Sequence, residues 1–152
     1  MIRRALVPVV VAWLSMPAIA SLQVLIVAPQ TITFPSSDPD TVTVVSAPPV
    51  QVTYLVVGGG RGRGNTWNIS VRANGDLIAG PAQIPISNIT WAATPNPPFR
   101  DGTLSSTVAQ TLASGSGPIT LSRGSVTFRL ANSWDYTAGN YTQTVVFTLS
   151  SP

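Results

Sequence analysis

The stretch WDYTAGNYTQTVVFTL, residues 134–149, constrains the fold more than any other in this 152-residue chain. From Tyr141 onward the residues alternate. Tyr141, Val145, Phe147 and Leu149 fall on one face and Thr142, Thr144 and Thr148 on the other, which predicts a half-buried β-strand. Ahead of it, Gly139 offers a φ > 0 position at a corner, and the Tyr141 ring can fold under that corner while its hydroxyl reaches upstream backbone. The remaining segments are expected to be partners for this last strand.

Those segments are short and alternating, and Pro, Gly, Asp and Ser separate them. Strands are predicted at 22–28, 31–34, 41–46, 50–57, 66–73, 83–93 and 125–131. In 66–73, Trp67, Ile69, Val71 and Ala73 point inward, and Asn68, Ser70 and Arg72 outward. Pro85 suggests an edge or a bulge, Trp91 a core position, and Asn74-Gly75 a tight turn of the primed type. Residues 104–112 read as either a strand or one or two helical turns, and 113–118 as a flexible Ser/Gly loop. In the Pro-rich loop at 94–102, Phe99, Arg100 and Asp101 are candidates for a surface contact. The pattern predicts an all-β fold, a two-sheet antiparallel β-sandwich of Ig-like, Greek-key type. The corner before the last strand resembles the tyrosine corner of such sandwiches.

Absences narrow the chemistry. The chain has no Cys, His, Lys or Glu, which excludes thiol nucleophiles, imidazole triads, Lys Schiff bases and Cys or His metal sites. No disulfide can staple it, so packing and ladder hydrogen bonds must hold it together. The formal charge of +3 includes Arg3 and Arg4; beyond residue 20, six Arg face five Asp, leaving +1. Nucleic acid is therefore not expected as a partner.

Residues 1–20 read as a cleaved secretory signal peptide, with Arg3 and Arg4, an apolar run over 5–16, and small Ala18 and Ala20 before cleavage at Ser21. The mature chain, 21–152, is expected to be one secreted domain with no membrane span.

Candidate sites are few. GGGRGRG, residues 58–64, reads either as an anion cradle using Arg61 and Arg63 or as the loop of a hairpin between the strands at 50–57 and 66–73. Asp38 and Asp40 are near enough to share a Ca²⁺ ion, yet turn chemistry in PSSDPD explains both. Five scattered Asp give no specific support for a glycosidase pair. Sequons at Asn68, Asn88 and Asn140 are chance-level in a chain this rich in Asn and Thr. No catalytic residue, metal or cofactor is expected.

Trp67-Asn68-Ile69, together with Ala138-Gly139-Asn140-Tyr141-Thr142-Gln143-Thr144 running into Phe147-Thr148-Leu149-Ser150-Ser151-Pro152, resembles the WxL domains of bacterial surface proteins. Ile69 stands where that family has the Leu of its first motif, and Phe147 where it has the Trp of its second. The resemblance implies a secreted, non-enzymatic module of the bacterial cell envelope, bound non-covalently to peptidoglycan, with Trp67 and Phe147 as ligand-binding positions; the residues themselves also read as core residues of facing strands. Arg61 and Arg63 are added as anion contacts on the residues alone. The chain also looks like the spore coat protein U and archaic chaperone-usher pilin group. That likeness implies a structural subunit whose partners are other surface-protein subunits and which assembles by donating an N-terminal strand, here 22–34.

Overall fold

The computed structural model describes residues 22–58, 66–137 and 139–151. The leader assigned to 1–20, the cleavage junction at Ser21, and Arg61 and Arg63 lie outside the described residues. Two antiparallel sheets form a sandwich. The larger contains β1 (Leu22–Ala28), β2 (Val44–Ser46), β3 (Val50–Val57), β7 (Ile89–Thr94), β8 (Gly102–Thr103) and β10 (Ile119–Ala131), in the order β1-β3-β10-β7-β8, with β2 also on β10. The smaller has the order β11 (Val145–Ser150), β4 (Thr66–Ala73), β9 (Gln110–Ser116). A separate hairpin joins β5 (Leu77–Ala79) to β6 (Ala82–Ile84).

Period-two alternation builds the core. Val50, Val52, Tyr54 and Val56 of β3 and Trp67, Ile69, Val71 and Ala73 of β4 are all buried, so the two sheets meet through these inner faces. The Tyr54 and Trp67 rings stand 4.5 Å apart across the layers, and Phe128 of β10 meets Phe147 of β11 edge-on at 6.5 Å. Three rings lie over glycines whose missing side chain makes the space. A Cβ on Gly115 would fall 2.6 Å from the Trp67 ring, on Gly102 2.4 Å from Trp91, and on Gly124 2.3 Å from Phe99.

β10, not the last strand, is the hub. It carries β2 and β3 along one side, from Ala131↔Val44 to Ile119↔Val57, and β7 along the other. Pro48 and Pro49, which lack the N–H a ladder needs, split β2 from β3, and the Ala47 N–H still donates to the Phe128 carbonyl at 2.9 Å. β11 pairs only with β4 and begins at Val145. The corner before it is present, since the Tyr141 hydroxyl donates to the Thr137 carbonyl at 2.7 Å. Gly80 and Gly117 take a positive φ; that of Gly139 depends on residue 138, which lies outside the described residues.

Other expectations need correction for specific reasons. Residues 31–34 join no ladder, although Ile32 and Phe34 pack on the core, because Pro29 ends the pairing of β1. The first half of 41–46 is taken by a turn in which Thr41 and Val42 donate to the Asp38 carbonyl. Asn74-Gly75 closes no hairpin: 74–76 is a bend, and β4 pairs with β9 and β11 instead. Likewise β3 and β4 belong to different sheets, so the segment between them connects layers and is not a hairpin loop. Pro85 breaks 83–93 into β6, a 3₁₀ turn at Ile86–Asn88, and β7. Residues 104–109 are irregular and contain no helix. The supposed Ser/Gly loop at 113–118 is mostly strand β9, whose small residues make room for Trp67. Phe99 is fully buried, not a surface contact.

Candidate functional site

Trp67 and Phe147 both point to the inside of the smaller sheet. They lie on neighbouring strands, with Phe147 opposite Val71 and Trp67 opposite Gly115, and not on facing ones. Trp67 is 4% exposed, and its indole N–H has no partner among the described residues. Phe147 is half-buried against Phe128. Burial raises the pKa of the neighbouring Tyr54 hydroxyl, with the Ser122 hydroxyl opposing; that hydroxyl comes close without completing a hydrogen bond. Tyr54 and Trp67 pack on each other at 4.5 Å, whereas Phe147 packs on Phe128; Trp67 presents no open ring face to solvent, and Phe147 stays partly exposed.

A different aromatic residue is presented outward. Trp134 is 67% exposed and sits where two loops meet beyond the C-terminal end of β10. The first loop is the 38–43 turn, in which the Asp40 N–H donates to Asp38 Oδ1 at 2.9 Å and the Thr41 hydroxyl to the Asp38 carbonyl at 3.1 Å. That is Asx-turn chemistry, as the sequence leads one to expect, and it occupies the Asp38 carboxylate. In the second loop the Asp135 N–H donates to Ser133 Oγ, which donates in turn to Asp135 Oδ2.

Asn132 ties the loops together. Its side-chain amide donates to the Ser37 and Val42 carbonyls at 3.1 and 2.9 Å, and its backbone N–H to the Thr43 carbonyl at 2.8 Å. Trp134 Nε1 then donates to Asp40 Oδ1 at 2.9 Å, fixing the indole while leaving its ring in solvent. Behind them, the Asn88 amide donates to the Tyr136 hydroxyl at 2.8 Å. Three of the five Asp of the chain, Asp38, Asp40 and Asp135, stand in these two loops. Among the described residues no three metal-ligating side chains come together, here or elsewhere.

An immobilised indole bordered by carboxylates can stack on the apolar face of a sugar ring and accept hydrogen bonds from its hydroxyls. The sequence did hold a signal for this site: Trp134 lies among Asn132, Ser133 and Asp135, in a turn with no strand to bury it. No protein-family model matches the chain, and no curated protein is significantly similar to it.

Proposed function

We propose that this chain is a secreted, non-enzymatic module of a bacterial cell envelope that holds a cell-wall glycan, peptidoglycan, through the Trp134 platform. The observation carrying the reading is the exposed indole pinned by its N–H to Asp40. Holding the ring in place before contact removes part of the ordering cost of binding. The likeness to WxL domains supports the ligand class, with Trp67 and Phe147 supporting the sandwich from inside and not touching the polymer.

The test is sedimentation of the purified protein with insoluble peptidoglycan. Wild-type protein and Trp67→Phe are expected in the pellet, and Trp134→Ala in the supernatant with an unchanged melting temperature. Wild-type protein left in the supernatant, or Trp134→Ala pelleting as wild type does, overturns the proposal.

A second reading, assembly by donation of β1 to a neighbour, is favoured by the position of that strand. β1 is an edge strand at the start of the described chain, and a long connection, 29–43, joins it to β2. In this structure it pairs with β3 of its own chain over seven residues. Oligomers that vanish when 22–28 is deleted would favour donation.

A further inference from the structure

The outer face of the larger sheet is divided. Alternation and register place Leu22, Val57 and Ile119 in one row across β1, β3 and β10, and Val24, Leu55 and Leu121 in the next. Ile26 extends the set along β1, where Thr53 and Arg123 end it on the other two strands. Farther along β10 the same face is polar, with Ser125, Thr127 and Arg129 facing Thr94, Ala92 and Thr90 of β7. Since Leu25, Val27, Val52, Tyr54 and Val56 already serve the core, these strands are apolar on both faces at one end only. A sheet with one solvated face does not need that.

The exposure is large. Leu121 is 70% exposed, Ile119 68%, Ile26 56% and Leu22 53%. The patch amounts to roughly 600 Å² of apolar surface, at the upper end of what monomers carry, and most of the about 800 Å² that one partner gives to a standard interface. No Asp lies on it, and Arg123 sits at its border, donating to Gln51 Oε1 at 3.2 Å.

We propose that this face is the interface of a two-fold dimer, in which the larger sheets of two copies pack outer face to outer face. The area fits what such a dimer needs, and an uncharged patch laid on its own copy buries no unpaired or like charges, with Arg123 left at the rim. Pairing along the free edge of β1 would not serve. Ile119 and Leu121, the most exposed of the set, lie on β10, two strands in from that edge, and only an occupant lying on the face covers them.

The experiment is sedimentation velocity of the purified protein over a wide concentration range, with intact mass measured alongside. Wild-type protein is expected to dimerise reversibly. Leu121→Asp should raise the dimer dissociation constant by about a hundredfold, because each dimer loses two apolar contacts. Val146→Asp, at an exposed apolar site on β11 of the other sheet, should leave it unchanged. As a second variant, Ile119→Asp, at another strongly exposed site of the patch, should raise it likewise. A wild-type monomer at all concentrations overturns the proposal. If that monomer floats with lipid vesicles, the face belongs to a membrane surface; if its mass still includes residues 1–20, it belongs to that segment. An oligomer that survives Leu121→Asp but is lost when 22–28 is deleted also overturns it, in favour of strand donation.

Discussion

Tyr54 shows how much a single atom governs in this core. Its hydroxyl is buried without a partner among the described residues, so removing it deletes a desolvated group and little packing. Tyr54→Phe is therefore expected to match wild type or exceed it by about 1 kcal/mol in urea unfolding at neutral pH. The raised pKa adds a pH dependence of definite sign. The native state keeps the Tyr54 proton after the unfolded chain has lost it, so this contribution is complete below the unfolded value, about 10, and is lost as pH rises through the folded one. Wild-type stability should fall more steeply than that of Tyr54→Phe in alkaline urea titrations. Glycine under a ring is the converse case. In Gly124→Ala the new methyl would sit 2.3 Å from a fully buried Phe99, which is expected to cost about 1–3 kcal/mol, read as a lower urea midpoint at unchanged slope.

Among the elements, the connection between β7 and β8 depends on one carboxylate. Asp101 Oδ1 accepts the Ala93 N–H at 2.8 Å while Trp91 Nε1 donates to the Arg100 carbonyl at 2.8 Å, so the Pro-rich loop is sewn back onto β7. Asp101→Ala should cost about 1–3 kcal/mol and speed hydrogen exchange selectively at the Ala93 amide. The elements legible in the sequence are those whose inner residues are large. β3 and β4 announce themselves by strict alternation of Val, Ile, Tyr and Trp, and Tyr141 by its place after a Gly corner. Elements whose inner residues are small stay hidden. The Ser, Gly and Ala of β9 look like a loop until Trp67 is set against Gly115. The first half of β10 hides because its large residues, Ile119 and Leu121, point outward. Trp134 is not fully legible as a site in the sequence, because only the meeting of two loops far apart in sequence gives its ring a fixed position.

Across the whole molecule, β10 separates the two proposed surfaces. Its 13 residues span about 40 Å, with the apolar patch at its N-terminal end and the Trp134 loops beyond its C-terminal end. A face-to-face dimer would carry two platforms, and a polymer with repeating units would engage both. Leu121→Asp should then weaken retention on insoluble peptidoglycan by at least about tenfold without altering Trp134, an effect measurable as a shift in the half-saturation concentration.

The late place of β10 also sets when the molecule can exist. Until residues 119–131 are available, β3 has only β1 beside it, and β7 only the two-residue β8. A two-stranded ribbon of this kind is marginal in water. A chain delivered N-terminus first, from a ribosome or through a translocation channel, is therefore expected to gain its stable larger sheet only late. Without cysteines, no disulfide can trap it in the interval. Pairings this distant in sequence place refolding in the range of about milliseconds to seconds by stopped-flow tryptophan fluorescence, and a chain ending at Pro118 should show no cooperative transition. The strand that joins the sheet thus also times its assembly, holding back the larger sheet until most of the chain has arrived.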